Sequence, residues 1–75
     1  MKHQDIYKRL KENGVVYIVD DYEEVALRLV HGEKETSAYL KRMGRKECVS
    51  KVSSELVFNI QNEGREIDKS YYDNF

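Results

Sequence analysis

Proline and tryptophan are absent from this 75-residue chain, and cysteine occurs once, at Cys48. A lone cysteine forms no intrachain disulfide and excludes a cysteine-based zinc ribbon or finger. Cys48 reads as a reduced, mostly buried thiol of a cytosolic protein, with a dimer-forming or reactive thiol as the alternative. Long apolar runs are also missing. None approaches the roughly 18 residues of a membrane span, and the opening MKHQDIYKRL lacks the apolar core of a signal peptide. The expected location is cytoplasmic, with no membrane partner.

Catalytic signatures are missing as well. No nucleophile elbow, phosphate-binding loop or dinucleotide fingerprint occurs. His3 and His31 have no partner at a motif spacing and read as surface residues, and the serines Ser50, Ser53 and Ser54 have no local histidine. A pocket of a few hundred Å³, the usual setting for catalysis, is hard to build at this size. The expectation is no enzyme, no catalytic residue and no cofactor.

What is present is charge and tyrosine. The chain is 36% charged and 40% hydrophobic, with a net charge of −1. Its length allows one domain and excludes a second core. One hydrophobic cluster at this size supplies about 3–5 kcal/mol of net stability, for which homodimerisation would be a natural remedy. With no proline, punctuation falls to Gly14, Gly32, Gly44 and Gly64.

The most apolar stretch is VVYIVDDYEEVALRLV, Val15 to Val30, read as a central hairpin. Val15 to Val19 are all β-branched or aromatic and predict a strand. Asp20 and Asp21 suit the turn. Val25, Leu27 and Leu29 alternate as a strand, while Tyr22, Val25, Ala26, Leu29 and Val30 also fit a helix stripe. Before the hairpin, Ile6 and Leu10, with His3 or Tyr7 one turn back, predict an amphipathic helix over residues 2–13, stopped by Asn13-Gly14. It would cover one face of the sheet.

After a turn at His31-Gly32-Glu33-Lys34, residues 36–43 read as a third strand, with a helix over Ser37 to Met43 as the alternative. From Glu47 to Ile60 two periods compete. Val49, Val52, Leu56 and Ile60 form a helix stripe; Leu56, Phe58 and Ile60 alternate like a strand. The strand reading is preferred for Leu56 to Gln61, because Asn62-Glu63-Gly64 then supplies a hairpin turn and Arg65-Glu66-Ile67 a return strand. Asp68 suits an N-cap for a last helical turn through Tyr72, and Phe75 is either a terminal anchor or frayed. The expected fold is α+β: an N-terminal helix on a small antiparallel meander of three to five strands, with a short C-terminal helical turn.

Two charged segments offer function. Asp20, Asp21, Glu23 and Glu24 crowd the hairpin tip around Tyr22. The spacing lacks the glycine and terminal glutamate of a calcium loop, so no metal site is expected. With Tyr71 and Tyr72, two of six tyrosines, this tip forms the candidate surface for a protein partner, since tyrosine is enriched at interfaces.

Residues 34–51 are basic, with six cations against Glu35 and Glu47. Lys41, Arg42, Arg45, Lys46 and Lys51 are the alternative, nucleic-acid-binding set. LKRMGRKECVSKV resembles a helix-turn-helix, with Gly44 in the turn and Val49-Ser50-Lys51-Val52 opening a recognition helix. It departs from that pattern. Leu40 and Ser50 stand where a small residue and a buried valine belong, and the valine comes one residue early, a rotation of about 100° on a helix. A slightly acidic domain also suits phosphate neutralisation poorly.

The whole chain resembles the small, Tyr-rich and Lys/Glu-rich proteins that phages and other mobile elements encode. Its ending EGREIDKSYYDNF is similar to the strand-turn-strand-then-helix endings common among them. The resemblance implies a non-enzymatic protein that binds and modulates a host factor.

Overall fold

The computed structural model describes residues 3–75. Lys2, the expected first residue of the leading helix, and the side chain of His3 lie outside the described residues. Helix α1 (His3–Asn13) presents Ile6 and Leu10, one turn apart, to the core, and both are fully buried. Gly14, at φ +80°, closes it: its N–H donates to the Leu10 carbonyl at 2.8 Å, a left-handed cap that a side chain would strain.

The chain then runs through β1 (Val15–Asp20), β2 (Val25–His31), β3 (Thr36–Arg42) and β4 (Cys48–Ser50) as an antiparallel meander. Helix α2 (Glu55–Glu63) follows, and β5 (Arg65–Ile67) returns to pair with β1. Helix α3 (Lys69–Asp73) closes the chain. The strand order is β4-β3-β2-β1-β5. The strand reading of Val25–Val30 holds, and that of residues 36–43 holds as far as Arg42, Met43 lying in the turn; the C-terminal helical turn and the Asp68 cap also hold.

The two sheet faces differ because side chains alternate along each strand. On one face Val16, Ile18, Leu27, Leu29 and Ala38 pack against Ile6 and Leu10 of α1 and Val57 and Ile60 of α2. On the other, Val19, Ala26 and Ile67 are covered only by α3, through Tyr72, with Tyr17 and Phe75 at the margin. Each β1 and β2 residue therefore meets a layer on one side or the other at the α3 end of the sheet. Farther along, Val15, Val30 and Tyr39 lie half-buried on the same face, beyond α3.

Three expectations are corrected. Leu56 to Gln61 is helix, not strand. Ser54 caps it by accepting from the Val57 N–H at 3.2 Å, and the helix turns Val57, Ile60 and Gln61 inward while Phe58 is 53% exposed. The Leu56/Phe58/Ile60 alternation was coincidental with a helical face. Asn62-Glu63-Gly64 is accordingly the end of α2, and β5 pairs with β1 rather than with the segment before it.

The helix-turn-helix reading is also overturned. Residues 36–50 form the β3–β4 hairpin, with Gly44 in its turn at φ +71° and Val49 in a strand where a recognition helix would need to begin. Finally, Cys48 is exposed at the sheet edge, because β4 has a neighbour on one side only.

Candidate protein-interaction surface

The acidic hairpin tip divides into structural and free residues. Asp20 is 6% exposed, and its Oδ1 accepts from the backbone N–H groups of Tyr22 (3.0 Å) and Glu23 (3.2 Å). This side-chain turn folds the tip and leaves Asp20 unavailable to a partner. Tyr22 is 92% exposed and is flanked by exposed Glu23 and Glu24.

Glu24 takes φ +53°, the only described non-glycine residue with a positive φ. A Cβ is disfavoured there by about 1–2 kcal/mol. Glu24→Gly is therefore expected to raise stability by about 1 kcal/mol. An unchanged urea midpoint would count against strain at this position.

Asp21 points to the neighbouring sheet edge. Its carboxylate receives Arg65 Nε at 2.9 Å, with Nη2 at 3.4 Å. The guanidinium holds Asp21 below the usual carboxylate range, chiefly through the hydrogen bond. The same Arg65 lies over the Tyr71 ring, 5.3 Å from its centroid, and donates to the Tyr71 hydroxyl at 3.3 Å. Tyr71 in turn faces Phe75, ring centroids 6.3 Å apart.

The geometry that brings them together is the register. Val19 lies opposite Arg65, and Val25 opposite Arg42, so the hairpin tip, β5's start and the β3–β4 turn share one end of the sheet. At that end Met43, Asp68, Ser70, Tyr71, Asn74 and Phe75 line an open depression of about 560 Å³. The Gly44 N–H donates to the Phe75 carbonyl at 2.9 Å, which pins the chain's last residues against the turn.

Tyr72 does not belong to this surface. It was expected to be exposed with Tyr71 but is 4% exposed, because a five-residue helix can turn only one of two adjacent tyrosines outward. Its ring packs on Tyr17, centroids 5.1 Å apart, and its hydroxyl donates to Glu47 Oε1 at 2.7 Å. Glu47 also receives Arg28 in a two-pronged pair, Nε at 2.7 Å and Nη2 at 3.2 Å. Arg28 in turn lies 4.2 Å above the Tyr39 ring. Burial first, then the Glu47 carboxylate, pushes the Tyr72 phenol well above its ordinary pKa. The network ties β2, the β3–β4 turn and α3 together.

The basic segment is partly consumed in the same way. Lys41 Nζ donates to the carbonyls of Tyr72 and Asp73, both at 2.9 Å, at the C-terminal end of α3. Arg42, Arg45, Lys46 and Lys51 are exposed but lie on a hairpin and its flank, not on a helix. Among the described residues no group of His, Cys, Asp and Glu is placed to hold a metal ion, and no helix is long and apolar enough to cross a membrane.

Of the residues proposed from sequence, Asp21 and Tyr71 are joined through Arg65, and Tyr22, Glu23 and Glu24 are exposed on the turn that follows Asp21. Asp20 and Tyr72 are buried. Met43, Arg65 and Phe75 were missed. Arg65 joins the two halves only through strand pairing, for which the local sequence carries no signal. No protein-family model matches the chain, and neither a curated protein nor a solved structure is significantly similar to it.

Proposed function

We propose that the protein is a non-enzymatic interaction module that acts in the cytoplasm by binding and modulating a protein partner, with Tyr22 as its main anchor. The observation that carries this reading is the Asp21–Arg65–Tyr71 link, which joins the hairpin tip to the C-terminal helix. Exposed Tyr22, Met43 and Tyr71 then stand at one end of the sheet. Aromatic residues, methionine and arginine are enriched at interfaces, and a few of them carry most binding energy. The partner surface that fits offers a pocket for Tyr22 and cations opposite Glu23 and Glu24. The host-modulating role rests on the resemblance of the ending EGREIDKSYYDNF to phage-encoded proteins. Self-association of this small domain is a second part of the proposal.

The test is capture from a lysate of the source cell or its host, followed by titration of the purified partner. Tyr22→Ala is expected to weaken binding about 30-fold, the scale of a loss of about 2 kcal/mol at an interface anchor. Glu23→Lys with Glu24→Lys should slow association and flatten its salt dependence. Neither change touches the core, so circular dichroism should be unaltered. Full-strength binding by Tyr22→Ala would remove the hairpin tip from the interface.

A further inference from the structure

We infer that two copies of the chain associate through the outer edge of β4, as an antiparallel pair centred on Val49. This specifies the self-association proposed above and is independent of the Tyr22 surface, so either can fail alone.

The free edge follows from the sheet's hydrogen-bond alternation. In an antiparallel pair, every second residue exchanges both backbone bonds with its opposite, and those between point the other way. The His31 N–H donates to the Gly14 carbonyl at 2.9 Å, which sets the phase for β1 and β2. In that phase Leu29, Leu27 and Val25 bond to β1. Val30, Arg28 and Ala26 are left to bond Ser37, Tyr39 and Lys41 of β3. Ala38 and Leu40 then bond Ser50 and Cys48. Val49, between them, turns its N–H and C=O away from the sheet.

The side chain at that position is as unusual as the backbone. Val49 is 81% exposed, a β-branched residue in the middle of an edge strand. It sits opposite Tyr39, on the α3 face of the sheet. Pairing Val49 with Val49 of a second copy satisfies both outward backbone groups. It also sets the two valines between two Tyr39 rings in one apolar stripe.

Charge selects the register. Glu47 and Lys51 flank Val49 two residues to either side. In the pair centred on Val49, each Glu47 meets Lys51 of the second copy, and the two-fold axis makes the contact twice. Among the described residues Lys51 has no ion-pair partner, and Glu47, although it holds Arg28 and Tyr72, keeps its side chain 31% exposed. Sliding the pair by two residues puts Lys51 opposite Arg45 in one direction and opposite Val49 in the other. Lysines at an edge discourage indiscriminate pairing; here the same Lys51 admits one register. An open depression of about 620 Å³, lined by Tyr7, Glu35, Tyr39, Val49, Lys51 and Ser53, lies at this margin of the sheet.

The test is sedimentation of the purified chain over micromolar to several hundred micromolar concentrations, with three variants. The expected result is a concentration-dependent dimer. Val49→Lys should sediment as monomer throughout, with an unchanged circular dichroism spectrum because its side chain is in solvent. Lys51→Glu should raise the dissociation constant about tenfold by replacing two attractive pairs with two repulsive ones. Val49→Cys with Cys48→Ser, exposed to oxidised glutathione, should form a covalent dimer. Directly opposed residues of a bonded pair stand about 5.5 Å apart, within disulfide range. A chain that stays monomeric, or a dimer that survives Val49→Lys, overturns the proposal; the second outcome leaves self-association standing at another surface.

Discussion

Gly64→Ala is expected to remove most of the chain's stability at room temperature. The reason is contact, not conformation, since Gly64 has an ordinary negative φ of −84°. A Cβ at this position would lie 2.5 Å from the Ile60 carbonyl oxygen, 2.6 Å from Ile18 Cγ2 and 2.8 Å from the Val19 carbonyl oxygen. Two of the three are backbone atoms, which cannot rotate aside. One ends α2 by accepting the Gly64 N–H at 2.8 Å, and the other belongs to central strand β1. Relief requires α2 to lift from the sheet, and with it Val57 and Ile60, both fully buried.

Overpacking of this kind costs about 3 kcal/mol, comparable with the roughly 3–5 kcal/mol that a single small core supplies. Gly14→Ala makes the useful contrast. Gly14 has φ +80° and open space around its Cβ direction, so it tests conformation alone, at about 1–2 kcal/mol. Urea unfolding of both variants checks the ordering. A Gly64→Ala midpoint equal to or above that of Gly14→Ala would mean that α2 can shift without loss.

The contrast between these glycines also marks what sequence could and could not convey. Gly14 follows an asparagine at the end of a helical stripe, and its capping role was legible there. Gly64 was read as a hairpin turn, because its neighbours in space, Ile18 and Val19, lie far away in the chain. The same distinction runs through the strands. Val15 to Val19 carry their own evidence in β-branching, and β1 formed as expected. Leu56 to Ile60 satisfy two periods at once, and the choice between them is made by the sheet, which receives Val57 and Ile60 and leaves Phe58 in water. Ser54, the cap that would have tipped the reading to helix, stood unused in the sequence.

The candidate surface was half legible for the same reason. A dense run such as Asp20 to Glu24 announces a turn, and of the seven residues proposed for a partner five are exposed, Asp21 and Tyr71 being joined through Arg65. Composition alone, however, could not distinguish Asp20 from its neighbours or Tyr71 from Tyr72. Those differences arise from which atoms the fold turns inward. Arg65, which connects the two halves, acquires that role only when β5 pairs with β1.

The other large effect is expected at Tyr72. Helix α3 is too short to persist alone, since isolated helices of fewer than about 12 residues are marginal in water. It is held by the Asp68 cap, which accepts from the Tyr71 N–H at 2.8 Å, by Lys41 on its last carbonyls, and by Tyr72 on the sheet. Tyr72→Ala removes the ring packed on Tyr17 and the bond to Glu47 together. Loss of a large buried aromatic costs about 3–5 kcal/mol, enough to unfold most of the population. Tyr72→Phe keeps the ring and should cost only about 1 kcal/mol.

Glu47→Gln addresses the other end of the same bond. It replaces a carboxylate shared by Arg28 and Tyr72, at a cost of about 1–2 kcal/mol once partial exposure is allowed for. Because both variants break one shared contact, the double variant should cost less than their sum. The pH dependence separates this clamp from packing. Arg28's hydrogen bond, then that of Tyr72, lowers the Glu47 pKa below its ordinary 4.5 in the folded state. A depressed carboxylate contributes stability that is complete above the unfolded value and is lost as pH falls through the folded one. Wild type should therefore weaken below about pH 5, and the gap between it and Glu47→Gln should narrow over the same interval. Asp21, depressed by Arg65, acts in the same direction but is common to both proteins and cancels in the comparison. A gap that stays constant from pH 7 to pH 3 would mean that Glu47 acts through shape rather than charge. Since α3 also carries Tyr71, any loosening of this clamp should weaken partner binding at acid pH before the core itself unfolds.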